Sequence, residues 1–390
     1  MVTLNSADKA LKSFYLQAIT DSLDTKANPF LAKIQKTSNN VTGKDVVKLV
    51  RLGINGGISA GTETGDLPTA TGNKYVQFKA TLKNLYGTLE ISDKAVRASA
   101  NNEGAFVNLL NDEMEGLVKS ANYNFGRMLF GNGQGLLATV TSVVDEESLK
   151  LSSLKNLAEG MVVDIVDAAT KDVIMEKLKV ESINHENKSV FFVGVTKEFT
   201  NMLIPAGTEV YLHGAKDNEL TGLNAIFNSN ILYGSARTNS LMRPYVKTSV
   251  GQISENIIQE AIDSIEATSG GKVNFIICSW GVRRALLEYY KEFKVIPPSV
   301  TLECGTQAIS FNGIPVVVDR FCPDGTMYLL NTEDFKLHQL CDWQWIEAED
   351  GKILKQVPGK PVYTATLVKY AELMCEKPCG QGMLADIKEA

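Results

Sequence analysis

Residues 53–75, GINGGISAGTETGDLPTATGNKY, form the most unusual stretch of the sequence. The stretch holds six glycines and four threonines but only three charged side chains. A strand-like run precedes it, and residues 74–92 after it alternate apolar with polar side chains, which indicates a half-buried strand. The sequence therefore predicts a long β-hairpin over residues 44–92. Its distal part is an extended loop that is too long for a turn and too poor in reactive side chains for catalysis.

The bulk composition is that of a globular chain with a substantial core. The 390 residues are 44% hydrophobic and 22% charged, and the net charge of −6 argues against a surface that binds nucleic acid all over. No apolar run reaches the ~18 residues of a membrane span, so no membrane partner is expected. All six cysteines fall after residue 277, which favours free thiols over a disulfide framework.

The clearest helix lies in residues 101–135, NNEGAFVNLLNDEMEGLVKSANYNFGRMLFGNGQG. Apolar residues recur there at spacings of three and four, with charged residues on the opposite face. A helix over residues 103–130 would span ~40 Å, which suits a structural spine. Its predicted core residues are Phe106, Leu110, Leu117 and Phe125.

The chain after this helix changes character twice. Short alternating runs rich in Val, Ile, Lys and Glu predict a small β module over residues 138–220. Residues 221–364 read as an α/β unit with two amphipathic helices, a buried strand at NFIICS and a hairpin turning at Asn312-Gly313. Residues 365–390 alternate as a C-terminal strand.

Three motifs suggest chemistry, and each has a simpler structural explanation. GISAG around Ser59 matches a nucleophile elbow, but the TETGDLPTATG that follows cannot be the required helix. GNGQG follows a helix instead of opening one, which favours a helix stop. His338, Cys341, Cys375 and Cys379 offer four zinc ligands at unusual spacings, so core thiols are favoured. We therefore expect no catalytic, metal or cofactor residues and no cofactor, with a Ser59 hydrolase as the least favoured alternative.

The order of these parts resembles the major capsid protein of tailed bacteriophages, which has the Hong-Kong-97-like fold. The resemblance implies an α+β chain with an inserted small β domain. The implied parts are an N-terminal arm at 1–43, the extended-loop hairpin at 44–92, a peripheral domain at 93–137 and 365–390, the inserted β domain at 138–220, and an axial domain at 221–364.

The resemblance also implies a function. Such a protein is not an enzyme; it self-assembles into hexamers and pentamers that form an icosahedral or prolate head around double-stranded DNA. It would contact DNA without sequence specificity, work with portal and scaffolding proteins, assemble in the host cytoplasm and end in the virion. Encapsulin shells share the fold and remain an alternative.

The extended loop would then grip a neighbouring subunit. Its expected contact residues are Gly57, Glu63, Asp66, Leu67 and Lys74. Some members of the family crosslink this loop through a Lys–Asn isopeptide bond, and Lys74, Lys79 and Lys83 are the lysines available for one here.

Overall fold

The computed structural model describes residues 28–94, 103–202, 204–292, 299–301, 307–347, 351 and 353–390. Residues 1–27 of the N-terminal arm expected at 1–43 lie outside these ranges. The helices are α1 Pro29–Lys33, α2 Glu103–Phe130, α3 Leu223–Asn228, α4 Glu255–Ser269 and α5 Trp280–Glu292. No helix in the described ranges is long and apolar enough to cross a membrane.

The described chain divides into two compact units. The smaller unit is Tyr123–Ala225, and the rest of the described chain forms the larger one. The strands of the smaller unit are β6 Leu136–Val143, β7 Ser148–Leu151, β8 Val162–Val166, β9 Val173–Asn184, β10 Ser189–Val193 and β11 Glu209–Leu212.

The larger unit carries the other strands, in two groups along the chain. Before α2 they are β1 Gln35–Thr37, β2 Val41–Thr42, β3 Asp45–Leu52, β4 Lys74–Thr81 and β5 Lys83–Ser92. From residue 231 onward they are β12 Ile231–Leu232, β13 Ser235–Ala236, β14 Tyr245–Lys247, β15 Phe275–Cys278, β16 Ser299–Thr301, β17 Gln307–Phe311, β18 Ile314–Val318, β19 Met327–Leu330, β20 Phe335–Trp345, β21 Lys355–Gln356, β22 Val362–Cys375 and β23 Gly382–Leu384.

The smaller unit is built on a closed barrel. Its strands pair around the circle in the order β10-β7-β6-β11-β8-β9. The barrel fills its interior with its own side chains, including Leu178, Val190 and Phe192, none of which is exposed. Phe192 and Phe199 pack edge-on, with ring centroids 6.0 Å apart. Closure leaves the barrel no open sheet edge.

A buried ion pair holds the junction between α2 and the chain that leaves the barrel. The guanidinium of Arg127 forms a two-pronged contact with the Glu219 carboxylate, and one prong joins Nη1 and Oε2 at 2.9 Å. Both side chains are 3% exposed. A buried charge is tolerated only when a partner of opposite charge neutralises it, so the two residues depend on each other.

The larger unit contains a seven-stranded sheet in the order β14-β23-β19-β15-β18-β17-β16. Helices α4 and α5 bury their apolar faces in its core through residues such as Ile258, Ile265 and Leu286. Ser254 caps α4, and Gly270 ends it in the left-handed conformation at φ 64°. Asn312 and Gly313 both have positive φ, so the predicted two-residue hairpin turn is confirmed.

A second sheet of the larger unit is organised around β22. Strand β22 pairs antiparallel with β5, β20 and β21, and β20 pairs parallel with β1. Residues 74–92 are therefore two strands and not one, because only β4 belongs to the hairpin while β5 joins β22 along residues 362–371.

The predicted hairpin itself is confirmed as an antiparallel pair. Strands β3 and β4 run in register from Asp45 opposite Thr81 to Leu52 opposite Lys74. The backbone N–H of Lys79 donates to the Tyr233 carbonyl oxygen at 2.9 Å, which holds β4 against the β12–β13 hairpin. Tyr233 packs beside Phe78, with ring centroids 5.5 Å apart. The root of the hairpin is fixed to the body of the unit, while residues 53–73 extend beyond the paired strands.

Candidate inter-subunit contact surface

Residues 53–73, here called the excursion, have no regular secondary structure and expose their large apolar side chains. Ile54 is 94% exposed, Ile58 87% and Leu67 90%. Burying one such side chain is worth about 1.5–3 kcal/mol. Three exposed apolar side chains on one projecting segment indicate a surface that contacts another molecule.

Asn55 ties the two limbs of the excursion together near their root. Its side-chain oxygen accepts hydrogen bonds from the Gly57 backbone N–H at 2.8 Å and from the Thr71 hydroxyl at 3.1 Å. A Cβ on Gly57 would lie 3.7 Å from the Ala70 Cα, so the limbs approach closely there. Further out, the Gly65 N–H donates to the Thr62 carbonyl oxygen at 3.1 Å and forms a turn. Thr62–Leu67 around this turn is called the tip.

The structure separates the five predicted contact residues into three places. Glu63, Asp66 and Leu67 come together at the exposed tip. Gly57 is half-buried where the limbs meet, and Lys74 is exposed at the first position of β4. Their roles in contacts between subunits stay a prediction.

The predicted core of the spine helix is only partly described. Phe125 is buried at 1% exposure. Leu117 is half-buried and packs over β5, where a Cβ on Gly87 would lie 3.1 Å from its Cδ1 atom. Phe106 and Leu110 fall outside the side chains that are described. Met114 and Val118 are also buried, at 3% and 5% exposure, and Val118 directly follows the half-buried Leu117.

A groove at the root of the excursion did not follow from the sequence. It has a volume of about 590 Å³ and is formed by β3, the start of the excursion, residues 241–242, the end of α4 and residues 376–379. We call it the root groove. Leu49, at 63% exposure, and Ile54 give it apolar walls. Isolated large apolar residues in a Gly/Thr-rich stretch were the only signal in the sequence that could have marked it.

The root groove carries charged side chains of both signs. The Glu376 Oε1 atom lies 2.6 Å from the Lys48 Nζ atom and 3.1 Å from the Lys336 Nζ atom. Burial opposes ionisation of Glu376, but the hydrogen bonds from these two lysines prevail and lower its pKa. Arg51, Lys377 and Asp334 also line the groove. Burial raises the pKa of the Asp334 carboxyl, and the charge of Lys377 opposes that shift.

The chemical motifs lack the geometry that their reactions need. Ser59 is exposed in the excursion, and the residues after it are not helical. The least favoured alternative, a hydrolase that uses Ser59, therefore lacks the strand–turn–helix context that a nucleophile elbow requires. Cys375 and Cys379 are buried free thiols whose pKa values are raised by burial. Among the described residues, no group of three or more His, Cys, Asp or Glu side chains is placed to hold a metal ion.

Comparison with known proteins finds relatives only at the level of structure. No family model matches the chain, and no curated protein matches it. The capsid asymmetric unit of cyanophage A-1(L) is similar with a TM-score of 0.58 and 11% identity, covering 93% of each chain. The capsid of an empty GTA particle is similar with a TM-score of 0.48 and 9% identity, covering 94% of this chain and 90% of that one.

An encapsulin shell is also among the similar structures. The holo-SrpI encapsulin of Synechococcus elongatus gives a TM-score of 0.45 at 10% identity, covering 93% of this chain and 89% of that one. Of these three structures, the cyanophage capsid has the TM-score above 0.5, and the fold assignment rests on it. The chain therefore has the Hong-Kong-97-like α+β fold of tailed-phage capsid proteins.

Proposed function

We propose that this chain is the major capsid protein of a tailed bacteriophage and forms the shell of its head. The observation that carries the proposal is the fold shared with a cyanophage capsid subunit over 93% of both chains. The excursion supports it, because a segment with three exposed apolar side chains suits a contact made far from its own core.

The parts of the chain then take structural roles in the shell. Residues 1–43 act as the arm and 44–92 as the extended-loop hairpin. The spine helix and β22 form the peripheral domain, and the seven-stranded sheet with α4 and α5 forms the axial domain. Strand β23 belongs to that sheet, so the axial domain also takes residues 382–384 from the range 365–390 that was expected to be peripheral. Copies of the chain associate as hexamers and pentamers around double-stranded DNA, together with portal and scaffolding proteins. The barrel is the inserted domain.

Assembly is tested by sedimentation and electron microscopy of the purified full chain. We expect pentamers, hexamers or closed shells. A protein that remains monomeric at high concentration, with scaffold supplied, contradicts the proposal.

The content of the shell separates a phage head from an encapsulin. Particles isolated from producing cells are treated with nuclease, and their contents are analysed for DNA and for protein. Nuclease-protected double-stranded DNA supports the head. A defined enzyme cargo without protected DNA supports the encapsulin alternative.

A further inference from the structure

We propose that a pocket between the end of α3 and the chain around Arg243 binds a phosphate group. This pocket, here called the arginine pocket, has a volume of about 430 Å³, which lies in the range of ligand sites. It shares no lining residue with the root groove. The proposal does not depend on the shell function, because a subunit can bind phosphate whether or not it assembles.

The chain that builds the arginine pocket is basic within an acidic protein. Residues 220–254 contain Arg237, Arg243 and Lys247 and neither Asp nor Glu, although the whole chain has a net charge of −6. Both arginines line the pocket, and no acidic residue is among the described residues that line it. The uncharged polar side chains of the lining are those of Asn228, Ser229, Asn230 and Thr238. Positive charge beside neutral hydrogen-bonding groups is the complement of an anion.

Arg237 is fixed in the wall of the arginine pocket. Its side chain is 9% exposed, and its guanidinium donates to the carbonyl oxygens of Ile226 and, at 3.4 Å, Phe227. Both carbonyl groups lie in the last turn of α3, so this arginine also stabilises the end of the helix. These acceptors are neutral, so the hydrogen bonds hold the guanidinium in place without cancelling its charge.

The titratable groups that act on Arg237 leave its positive charge in place. They are Tyr233 and Cys375. Burial raises the pKa of both groups well above the ordinary value, so both are neutral at pH 7. The Glu372 carboxylate acts on Tyr233, but it does not line the pocket. Burial lowers the pKa of Arg237 because it disfavours the charged form, and an anion bound nearby would favour that form.

Arg243 presents a second guanidinium on the open side of the arginine pocket. Its side chain is exposed, and its Nε–H donates to the Arg237 carbonyl oxygen at 2.8 Å. This hydrogen bond orients the guanidinium through one of its five N–H groups and leaves the terminal N–H groups for a ligand. The two arginines are thereby linked through the backbone of Arg237.

A phosphate group matches these donors better than a carboxylate does. It presents three acceptor oxygens and nearly two negative charges, whereas a carboxylate presents two oxygens and one charge. Arginine pairs with phosphate through two parallel N–H groups, and Ser, Thr and Asn side chains also contact phosphate oxygens. Free inorganic phosphate and the backbone of double-stranded DNA both supply this group.

Titration of the purified full chain with inorganic phosphate tests the site, with phosphorus NMR as the readout and ionic strength held constant with chloride. We expect saturable binding. Arg243→Gln should weaken it about tenfold, because a charge-assisted contact is lost. Arg51→Gln is the matched control, since it removes an exposed arginine from the root groove, which also contains Asp334 and Glu376. It should leave phosphate binding unchanged, and circular dichroism checks that both variants fold.

Competition identifies the source of the phosphate group. Sulfate should displace phosphate, and acetate at the same concentration should not. Double-stranded DNA of random sequence is then titrated at several salt concentrations. If the DNA backbone is the source, inorganic phosphate displaces DNA, and Arg243→Gln lowers the slope of log Kd against log salt by about 1. If free phosphate is the source, wild type and variant bind DNA equally.

Two results overturn the proposal. The first is phosphate that binds no better than chloride, together with a DNA affinity that Arg243→Gln leaves unchanged. The second is acetate that competes as well as sulfate, which identifies a carboxylate site in place of a phosphate site. Neither result bears on the shell function, which the assembly experiment tests separately.

Discussion

Gly222 lies where the chain returns from the barrel to α2, and a side chain has no room there. A Cβ at this position would collide with the Met128 carbonyl oxygen and would lie 2.6 Å from the Gly131 oxygen and 2.7 Å from the Gly131 nitrogen. All three are backbone atoms, which cannot move aside as a flexible side chain would. We expect Gly222→Ala to lower the free energy of unfolding by about 1–3 kcal/mol or more, measured by urea denaturation.

Gly116 is the matched control, because it lies on α2 and a Cβ added to it would meet no atom of the described chain within 4 Å. Gly116→Ala should raise the free energy of unfolding by about 0.5–1 kcal/mol, since alanine favours the helix. Equal effects of the two substitutions would show that the approach at Gly222 is not tight.

His338 makes stability depend on pH. Its side chain is fully buried, and burial lowers its pKa below the ordinary value. Its Nδ1 atom lies 3.0 Å from the Asn39 carbonyl oxygen, so Nδ1 carries the proton in the neutral ring. The Nε2 atom is buried with no hydrogen-bond partner among the described residues, so a proton added there would have no acceptor.

The sign of the effect follows from proton linkage. The unfolded chain binds a proton at His338 near pH 6.5, whereas the folded chain does so only at lower pH. The unfolded state therefore binds more protons in the window below about pH 6.5, and stability falls as the pH falls through it. Above that window the contribution is fully present.

Charged side chains near His338 also influence its pKa, so the test compares the wild type with a variant that lacks the imidazole. Glu376 favours the protonated ring, while Lys48 and Lys336 oppose it, and Glu372 faces it from β22. His338→Asn should flatten the fall in unfolding free energy between about pH 6.5 and pH 5 relative to the wild type. If the unfolding free energy depends on pH equally in the two proteins, His338 is not the group responsible. The comparison uses only this pH dependence, so a difference in absolute stability does not affect it.

Lys369 shows what the sequence could not predict at the scale of a residue. It stands in an alternating strand pattern, where a lysine is expected to reach solvent, yet it is 1% exposed. Its ammonium contacts the Asp342 carboxylate and lies 3.0 Å from the Gln339 Oε1 atom. Burial lowers its pKa, and Asp342 opposes that shift. Neither partner is local in sequence, so no spacing rule signals the pair.

Among the elements, those that depend on local signals were predictable. The bounds of α2 match residues 103–130 as predicted, and the capping serine and terminal glycine of α4 mark its ends. The turn between β17 and β18 was predictable because Asn and Gly tolerate the positive φ that both of its central residues adopt. These features need only neighbouring residues, so the sequence was sufficient for them.

Elements that depend on distant pairing were not predictable. Strand β5 pairs with β22 across more than 250 residues, and β6 pairs with β11 within the barrel unit. The alternation of residues 74–92 continues through Leu82, where the chain leaves one sheet for another, so it suggested a single strand. The excursion was predicted, but the root groove combines segments from six places in the chain.

The excursion should be dispensable for folding and necessary for assembly. Deleting Thr62–Ala70 and joining Gly61 to Thr71 keeps the Asn55–Thr71 hydrogen bond of 3.1 Å and removes only exposed residues. We expect an unchanged circular dichroism spectrum and melting temperature, because loops without core contacts tolerate change. Shells should not form, as judged by electron microscopy.

A scrambled version of residues 62–70 serves as the control for that deletion. It preserves length and composition but moves Asp66 and Leu67 from the tip turn. We expect it to fold and to fail in assembly as the deletion does. Normal shells from the scrambled chain would mean that the loop acts only as a spacer.

At the scale of the whole molecule, the barrel is the part best able to fold independently of the rest of the chain. Its core consists of its own residues between Leu137 and Val210. The two ends of the insertion meet, since a Cβ on Gly135 would lie 2.7 Å from the Ala215 carbonyl oxygen. A short Gly/Ser linker replacing residues 136–214 can therefore join these positions and leave the Arg127–Glu219 ion pair in place. We expect the shortened chain to fold and to assemble.

The charge of the barrel favours a place on the outer wall of the shell. Residues 136–214 contain twelve acidic and seven basic side chains, so an inward barrel would set net negative charge against packaged DNA. We expect cryo-electron microscopy of the wild-type and shortened particles to show difference density outside the wall. Difference density inside the wall would refute the outward placement, and collapse of the shortened chain would instead refute the autonomy. Because the barrel has no open sheet edge, an outward position exposes no strand that could pair with another particle.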